Sequence, residues 1–155
     1  MRLEVLEEEI YPIRLRWIVG AGYLAEWEEF VKRLVEEGAS DPLSLAALDL
    51  LRALVILYGS GWERDIRDVL MGIWSIRDMG LEEMGELQVR IPEAVKLLSE
   101  KGVIKVERRL HAVGMEPEEE DLYTATDIVL LSKILSADRE VSRYRYEMMG
   151  SWTRR

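Results

Sequence analysis

Residues 87–110 read LQVRIPEAVKLLSEKGVIKVERRL. Ile91, Val95 and Leu98 recur at the three- and four-residue spacing of one helical face, which predicts a helix over about residues 92–101. Pro92 suits an opening turn, where its missing N–H is harmless. Gly102 then stops the helix, because glycine takes the left-handed backbone that closes a helical end. Val103–Ile104–Lys105–Val106 begins an extended run. A ribbon is therefore expected, pairing about residues 103–110 with 121–125. Between them, Glu116–Pro117–Glu118–Glu119–Glu120–Asp121 reads as an acidic tip. Thr126–Asp127 opens a further helix.

The phrase V-x-x-L-x-x-x-G-V-I, carried by Val95, Leu98, Gly102, Val103 and Ile104, is followed by Y-x-x-T-D at Tyr123–Asp127. Together they resemble the passage from recognition helix to wing in the winged helix-turn-helix superfamily, broadly the MarR-like and PadR-like regulators. The resemblance spans about residues 43–135. It implies a mostly α fold with a small antiparallel β-ribbon. The winged-helix core falls at 41–135, a mostly helical N-terminal extension at 1–40, and a C-terminal helix and tail at 136–155. Winged helices serve as DNA readers and as protein-interaction modules, so the fold does not choose the function. SIRDMGLEEMGE, residues 75–86, departs from the pattern. It reads as an extension of the preceding helix, as a short separate helix, or as an insertion. A second alignment puts the helix and turn of the motif at Leu81–Met84 and Gly85.

Composition narrows the classes. The 155 residues suit one domain with appended helices, and 48% are apolar, enough for a full core. No run reaches the ~18 apolar residues of a membrane span, and no signal-peptide pattern opens the chain. A cytoplasmic protein without a membrane partner is expected. There is no Cys, hence no disulfide, thiolate metal site or cysteine nucleophile. Asn is absent and Gln occurs once, as Gln88, among many charges. That bias fits a thermophile's protein.

The formal charge of −9 argues against indiscriminate coating of nucleic acid. Its distribution is uneven. Residues 1–50 carry −6, 51–87 carry −3, 88–110 carry +3, 111–121 carry −5, and the remainder +2. The expected recognition helix and first ribbon strand thus form a basic island in an acidic chain.

Elsewhere the chain reads mostly as helix. Residues 1–19 fit a strand by alternation, or a helix starting at Pro12. Leu24, Trp27, Val31 and Leu34 mark a helix over 23–37. Asp41–Pro42 caps the next, which runs to about Tyr58 and is apolar almost all round, as a central helix should be. A further helix spans Trp62 to about Trp74. A last one runs from Thr126 to about Met149.

If Ile91, Val95 and Leu98 face inward, Arg90, Glu93, Ala94 and Lys96 face outward. Arg90 and Lys96 are then the residues to meet base edges, since Arg and Lys reach guanine and phosphate. Lys105, Arg108 and Arg109 on the first strand would hold flanking phosphates. The expected function is a sequence-specific, DNA-binding transcriptional regulator. It would act on double-stranded DNA as a homodimer, with Trp152 and Tyr144–Met148 of the C-terminal helix as dimer contacts. Glu93 and the acidic tip point instead to a basic protein partner. The alternative is therefore an interaction subunit of a transcription, replication or chromosome-organising complex. A third reading starts from Trp17–Ala25, whose Gly20 and Gly22 resemble a dinucleotide-binding loop. That motif needs a second strand where residues 43–58 read as helix. His111, the single histidine, has no Cys, Ser or Asp partner in sequence. No metal, cofactor or enzymatic role is expected.

Overall fold

The computed structural model describes residues 26–38 and 40–153. The readings of residues 1–19 and of the Trp17–Ala25 glycine motif lie outside these residues. Among the described residues there are six helices and one small antiparallel sheet. Helix α1 covers residues 26–37. Then follow α2 (Pro42–Ile56), β1 (Ser60–Trp62), α3 (Glu63–Ile76), α4 (Leu81–Glu100), β2 (Ile104–Val113), β3 (Glu116–Ala125), α5 (Ile128–Ile134) and α6 (Arg139–Thr153). The strands lie in the order β1-β3-β2.

Helix α2 is the centre. Its cap is the expected one: Asp41 accepts from the Ser44 N–H at 2.9 Å, with Pro42 in the first turn. Leu50, Leu51 and Leu54 are wholly buried, as the apolar girdle predicts. The same helix buries Asp49, the one buried charged residue among those described. Both its oxygens are filled. Oδ1 accepts from Arg52 and Arg77 at 2.8 Å, and Oδ2 from Arg77 and the Trp74 indole at 3.0 Å. Arg52 also forks onto Asp138 at 3.0 Å twice, and Arg77 reaches Glu140 at 3.0 Å. Asp138 in turn caps α6 by accepting from the Val141 N–H. A buried carboxylate is tolerated only when paired and fully hydrogen-bonded, and here the pairing fixes α6 against α2 and α3. Gly72 of α3 completes the joint: a Cβ there would come within 2.7 Å of the Tyr144 ring.

Helix α4 corrects the expected boundaries. It begins at Leu81, not near Pro92, and Pro92 lies in its interior. The 75–86 segment is thus the end of α3, a turn at 77–80, and the start of α4, and Gly85 is helical rather than a turn. An interior proline costs roughly 3 kcal/mol. Burial outweighs it. Leu87, Ala94 and Leu98 are buried, with Met84, Ile91 and Val95 packed against the core. One fully buried Leu contributes about 1.5–3 kcal/mol, and the stripe runs the whole helix. Ala94, expected outside, is therefore inside. Gly102 ends α4 as predicted, at φ 80°. The Val103 and Gly102 N–H groups bond back to Leu98 and Ser99 at 3.0 Å, satisfying the last carbonyls.

The acidic stretch is not a tip. Glu116–Asp121 forms the outer part of β3, paired one-for-one with β2 from Val113↔Glu116 to Arg108↔Asp121. The true turn is at Gly114–Met115, with Gly114 at φ 86° and Met115 fully exposed. Trp62 belongs to β1, a strand not foreseen, and α3 starts one residue later. The expected helix from Thr126 to Met149 is two helices, parted by the Asp138 cap. Position 43–58, where a dinucleotide fold needs a strand, is mainly α2. No helix among the described residues is long and apolar enough to cross a membrane.

Candidate interaction surface

The α3–turn–α4 unit and the β2–β3 hairpin carry all five residues expected to contact DNA. Arg90, Lys96, Lys105, Arg108 and Arg109 are all exposed. Four of them face carboxylates of this chain. Arg90 bonds Glu93 at 2.9 Å, Lys105 approaches Glu107 at 3.8 Å, Arg108 bonds Asp121 at 3.1 Å, and Arg109 meets Glu107 at 3.4 Å. Lys96 has no ion-pair partner among the described residues. The five do not form one basic face.

Helical geometry sets what α4 shows to solvent. Its buried stripe passes through Leu87, Ala94 and Leu98. At 100° per residue the opposite face holds Glu82, Glu86, Val89, Glu93, Lys96 and Glu100, all exposed. Val89 is 72% exposed among these carboxylates. Because the helix starts at Leu81, it carries five acids (Glu82, Glu83, Glu86, Glu93, Glu100) against Arg90 and Lys96. The basic island of 88–110 straddles two elements, and neither α4 nor the hairpin is basic as a unit.

The hairpin is anchored at Glu120. Trp62, at the N-cap of α3, offers no side-chain cap. Glu120 supplies it from across the sheet, accepting from the Arg64 N–H at 2.8 Å. Its other oxygen lies 2.8 Å from His111 Nδ1. A carboxylate only accepts, so Nδ1 carries the proton. The His111 ring stacks on Trp62 with centroids 3.8 Å apart and planes within 4°. The hydrogen bonds from His111 and from the Arg64 N–H hold the Glu120 carboxyl below its ordinary range. Glu120 was legible only as one acid in a run; its role depends on the fold.

The C-terminal helix turns part of its aromatic–Arg pattern inward. Tyr144 packs on Gly72, and Arg145 donates to the Val55 carbonyl at 3.1 Å. Tyr146 is 67% exposed, and Met148 is exposed as well. The Trp152 side chain lies outside the described residues. Trp27 and Trp74 are core residues. Among the described residues no His, Asp and Glu group is arranged to hold a metal ion.

Neither protein-family models, nor curated proteins, nor solved structures give a match to this chain.

Proposed function

We propose that the chain is a winged-helix protein-interaction module whose partner presents a basic surface to α4 and the hairpin. Element order supports the fold reading: helix, short strand, helix, turn, helix and hairpin, with β1 pairing on β3. The observation that carries the function is the outer face of α4, where Glu82, Glu86, Glu93 and Glu100 surround the exposed Val89. Such a face in a DNA groove would set carboxylates against phosphate, whereas a cationic protein gains from it in steering and register. Glu116, Glu118 and Glu119, all exposed, extend the acidic surface along β3.

The test is selection of a random peptide library on the full chain, followed by affinity measurement. The enriched peptides are expected to be Lys- and Arg-rich around an apolar anchor. Joint replacement Glu82→Lys, Glu86→Lys and Glu93→Lys should weaken them about 100-fold, since close charge pairs couple by a few kcal/mol. The folded state should persist, because all three side chains are exposed. Neutral selected peptides, or unchanged affinity, would overturn the reading.

A second reading rests on Lys96, exposed on that face with no ion-pair partner among the described residues. It is a DNA-binding regulator acting as a homodimer through α6, with Tyr146 as a contact. A duplex titration across a salt series separates the two. Binding at low salt that weakens steeply with salt, together with a dimeric mass, would favour DNA.

A further inference from the structure

Gly85 lies in the interior of α4, on its exposed side. Glycine disfavours a helix, because its backbone loses the most freedom there. Gly72 of α3 has a reason, since the Tyr144 ring leaves no room for a Cβ. At Gly85 a Cβ would meet no atom within 4 Å, and the backbone there is ordinary helix. Nothing in the described chain requires a glycine at this position, and its bare backbone faces outward. The residues around it show what could approach. At about 100° per residue, Leu81, Gly85, Val89 and Pro92 fall on one straight row, all exposed. Leu81 is 87% exposed. Scattered apolar side chains on a surface are ordinary, but a row at helical spacing is an apolar face without its partner. The row is roughly 16 Å long at about 1.5 Å per residue, and Lys96 ends it. Glu82, Glu86 and Glu93 line one flank of the row, Gln88 the other. Glu82 and Glu86 make no ion pair among the described residues, and Glu93 pairs with the exposed Arg90. Beyond Glu86 an open depression of about 200 Å³ lies between α4 and the start of α2. Asp41, Glu83 and Glu86 line it together with the apolar Leu45, Met79 and Leu87. It suits a Lys or Arg side chain, whose stem lies on apolar atoms while its charged head stays among carboxylates.

We propose that this face docks an amphipathic α-helix of another protein, cationic along one edge and packed backbone to backbone at Gly85. The inference rests on the reading of α4 as a surface for a basic partner, and adds the partner's shape. The partner's apolar stripe lies on Leu81, Val89 and Pro92. Its backbone closes on α4 at Gly85, where a side chain would hold two helices apart. Its Lys and Arg residues meet Glu82, Glu86 and Glu93, and one of them enters the depression beside Asp41. A helix suits the face better than an extended peptide does. The apolar and acidic rows both repeat at helical pitch, and the rows of a second helix match them. A second copy of this chain suits it poorly: α4 carries five acids against Arg90 and Lys96, so two copies would set like charges together.

The probe is a synthetic helical peptide of about 18 residues, long enough to cover the row, with Leu in one stripe and Lys and Arg along one edge. Its control is a scrambled isomer of equal composition and charge that lacks the stripe. Binding to the full chain is read by titration calorimetry, and Tm by scanning calorimetry. The striped peptide should bind about tenfold or more tighter than the isomer, the scale of burying one leucine side chain. Gly85→Gln puts a better helix former at an open position, so Tm should rise. The same change should weaken the striped peptide about tenfold or more, because a bulky amide then stands in the contact. Equal binding of the two peptides would overturn the helical partner; if both then weaken in the Glu82→Lys, Glu86→Lys double variant, the basic-partner reading still stands. Binding of neither peptide would remove both. Undiminished binding by Gly85→Gln would overturn the close approach and the proposal with it. So would a fall in its Tm, which would mean that residues 1–25 or a second copy already fill the face.

Discussion

Asp49 in α2 and Asp121 in β3 each hold an arginine at close range, Arg77 at 2.8 Å and Arg108 at 3.1 Å. Their surroundings differ. The Asp49 side chain is wholly buried, and its Arg52 and Arg77 partners are 11% and 21% exposed. Arg108 is 58% exposed and Asp121 30%. Inside, water cannot replace a lost partner, so each member of the Asp49 cluster is obligatory and the geometry is fixed. On the hairpin, water competes with every bond and the net contribution is small. The interior pairs therefore decide where α6 docks. The surface pairs hold little energy and can exchange their partners for those of another molecule at small cost.

The largest effect should come from the interior. Asp49→Asn leaves Arg77 and Arg52 without their charged acceptor and should cost roughly 3–5 kcal/mol in reversible denaturant unfolding. A loss under about 1 kcal/mol would place the cluster with the surface pairs and erase the contrast. Leu51→Ala, at a wholly buried position on the same helix, should cost roughly 2–5 kcal/mol and calibrates the apolar core beside it.

Glu120 stands between the extremes. Glu120→Ala removes a helix cap and should cost about 1 kcal/mol, in the range of other lost caps. The pH dependence has a definite sign. Because the folded carboxyl is held below its ordinary range, its contribution is complete above the unfolded carboxylate value. It is lost as pH falls through the lowered folded value. Thermal unfolding from pH 7 down to pH 3 should show a steeper acid loss in the wild type than in Glu120→Ala. Parallel curves would mean that the cap contributes nothing. The smallest effect belongs to Arg108→Ala, expected within about 0.5 kcal/mol. A cost above about 1.5 kcal/mol would show that the hairpin pairs act as a structural network.

Local signals carried much of the fold. Asp41 and Gly102 cap α2 and α4 where the sequence predicts, and Asp127 accepts from the Leu130 N–H at the start of α5. These are short-range devices written in one or two residues. The start of α4 was hidden because Pro92 imitates a first turn. Met84 and Leu87 reveal their purpose only against the rest of the core. The acidic strand was hidden for a similar reason. Glu disfavours strands, and only the facing Arg108, Arg109 and His111 of β2, with the Glu120 cap, make an extended form worthwhile. Asp49 gave no sign in an apolar helix, since its partners lie in α2, α3 and at the entrance to α6. For the surface, helical spacing set Arg90, Glu93 and Lys96 outward, where they lie, but set Ala94 there too, which is buried. The carboxylate neighbours of the five basic residues depend on register, and so did the acidity of the α4 face.

The hairpin has one more consequence. Along Glu116–Asp121, β3 pairs with β2 alone, and β2 has no second neighbour strand among the described residues. Unpaired N–H and C=O groups on such edges are a template for strands of other chains. A row of carboxylates makes each copy of this hairpin repel the next, so the ribbon extends from the body without seeding assembly. Acidification, or replacement of Glu116, Glu118 and Glu119 by Gln, should remove that repulsion. Light scattering and thioflavin fluorescence would then rise with protein concentration, whereas the native chain at neutral pH should stay clear.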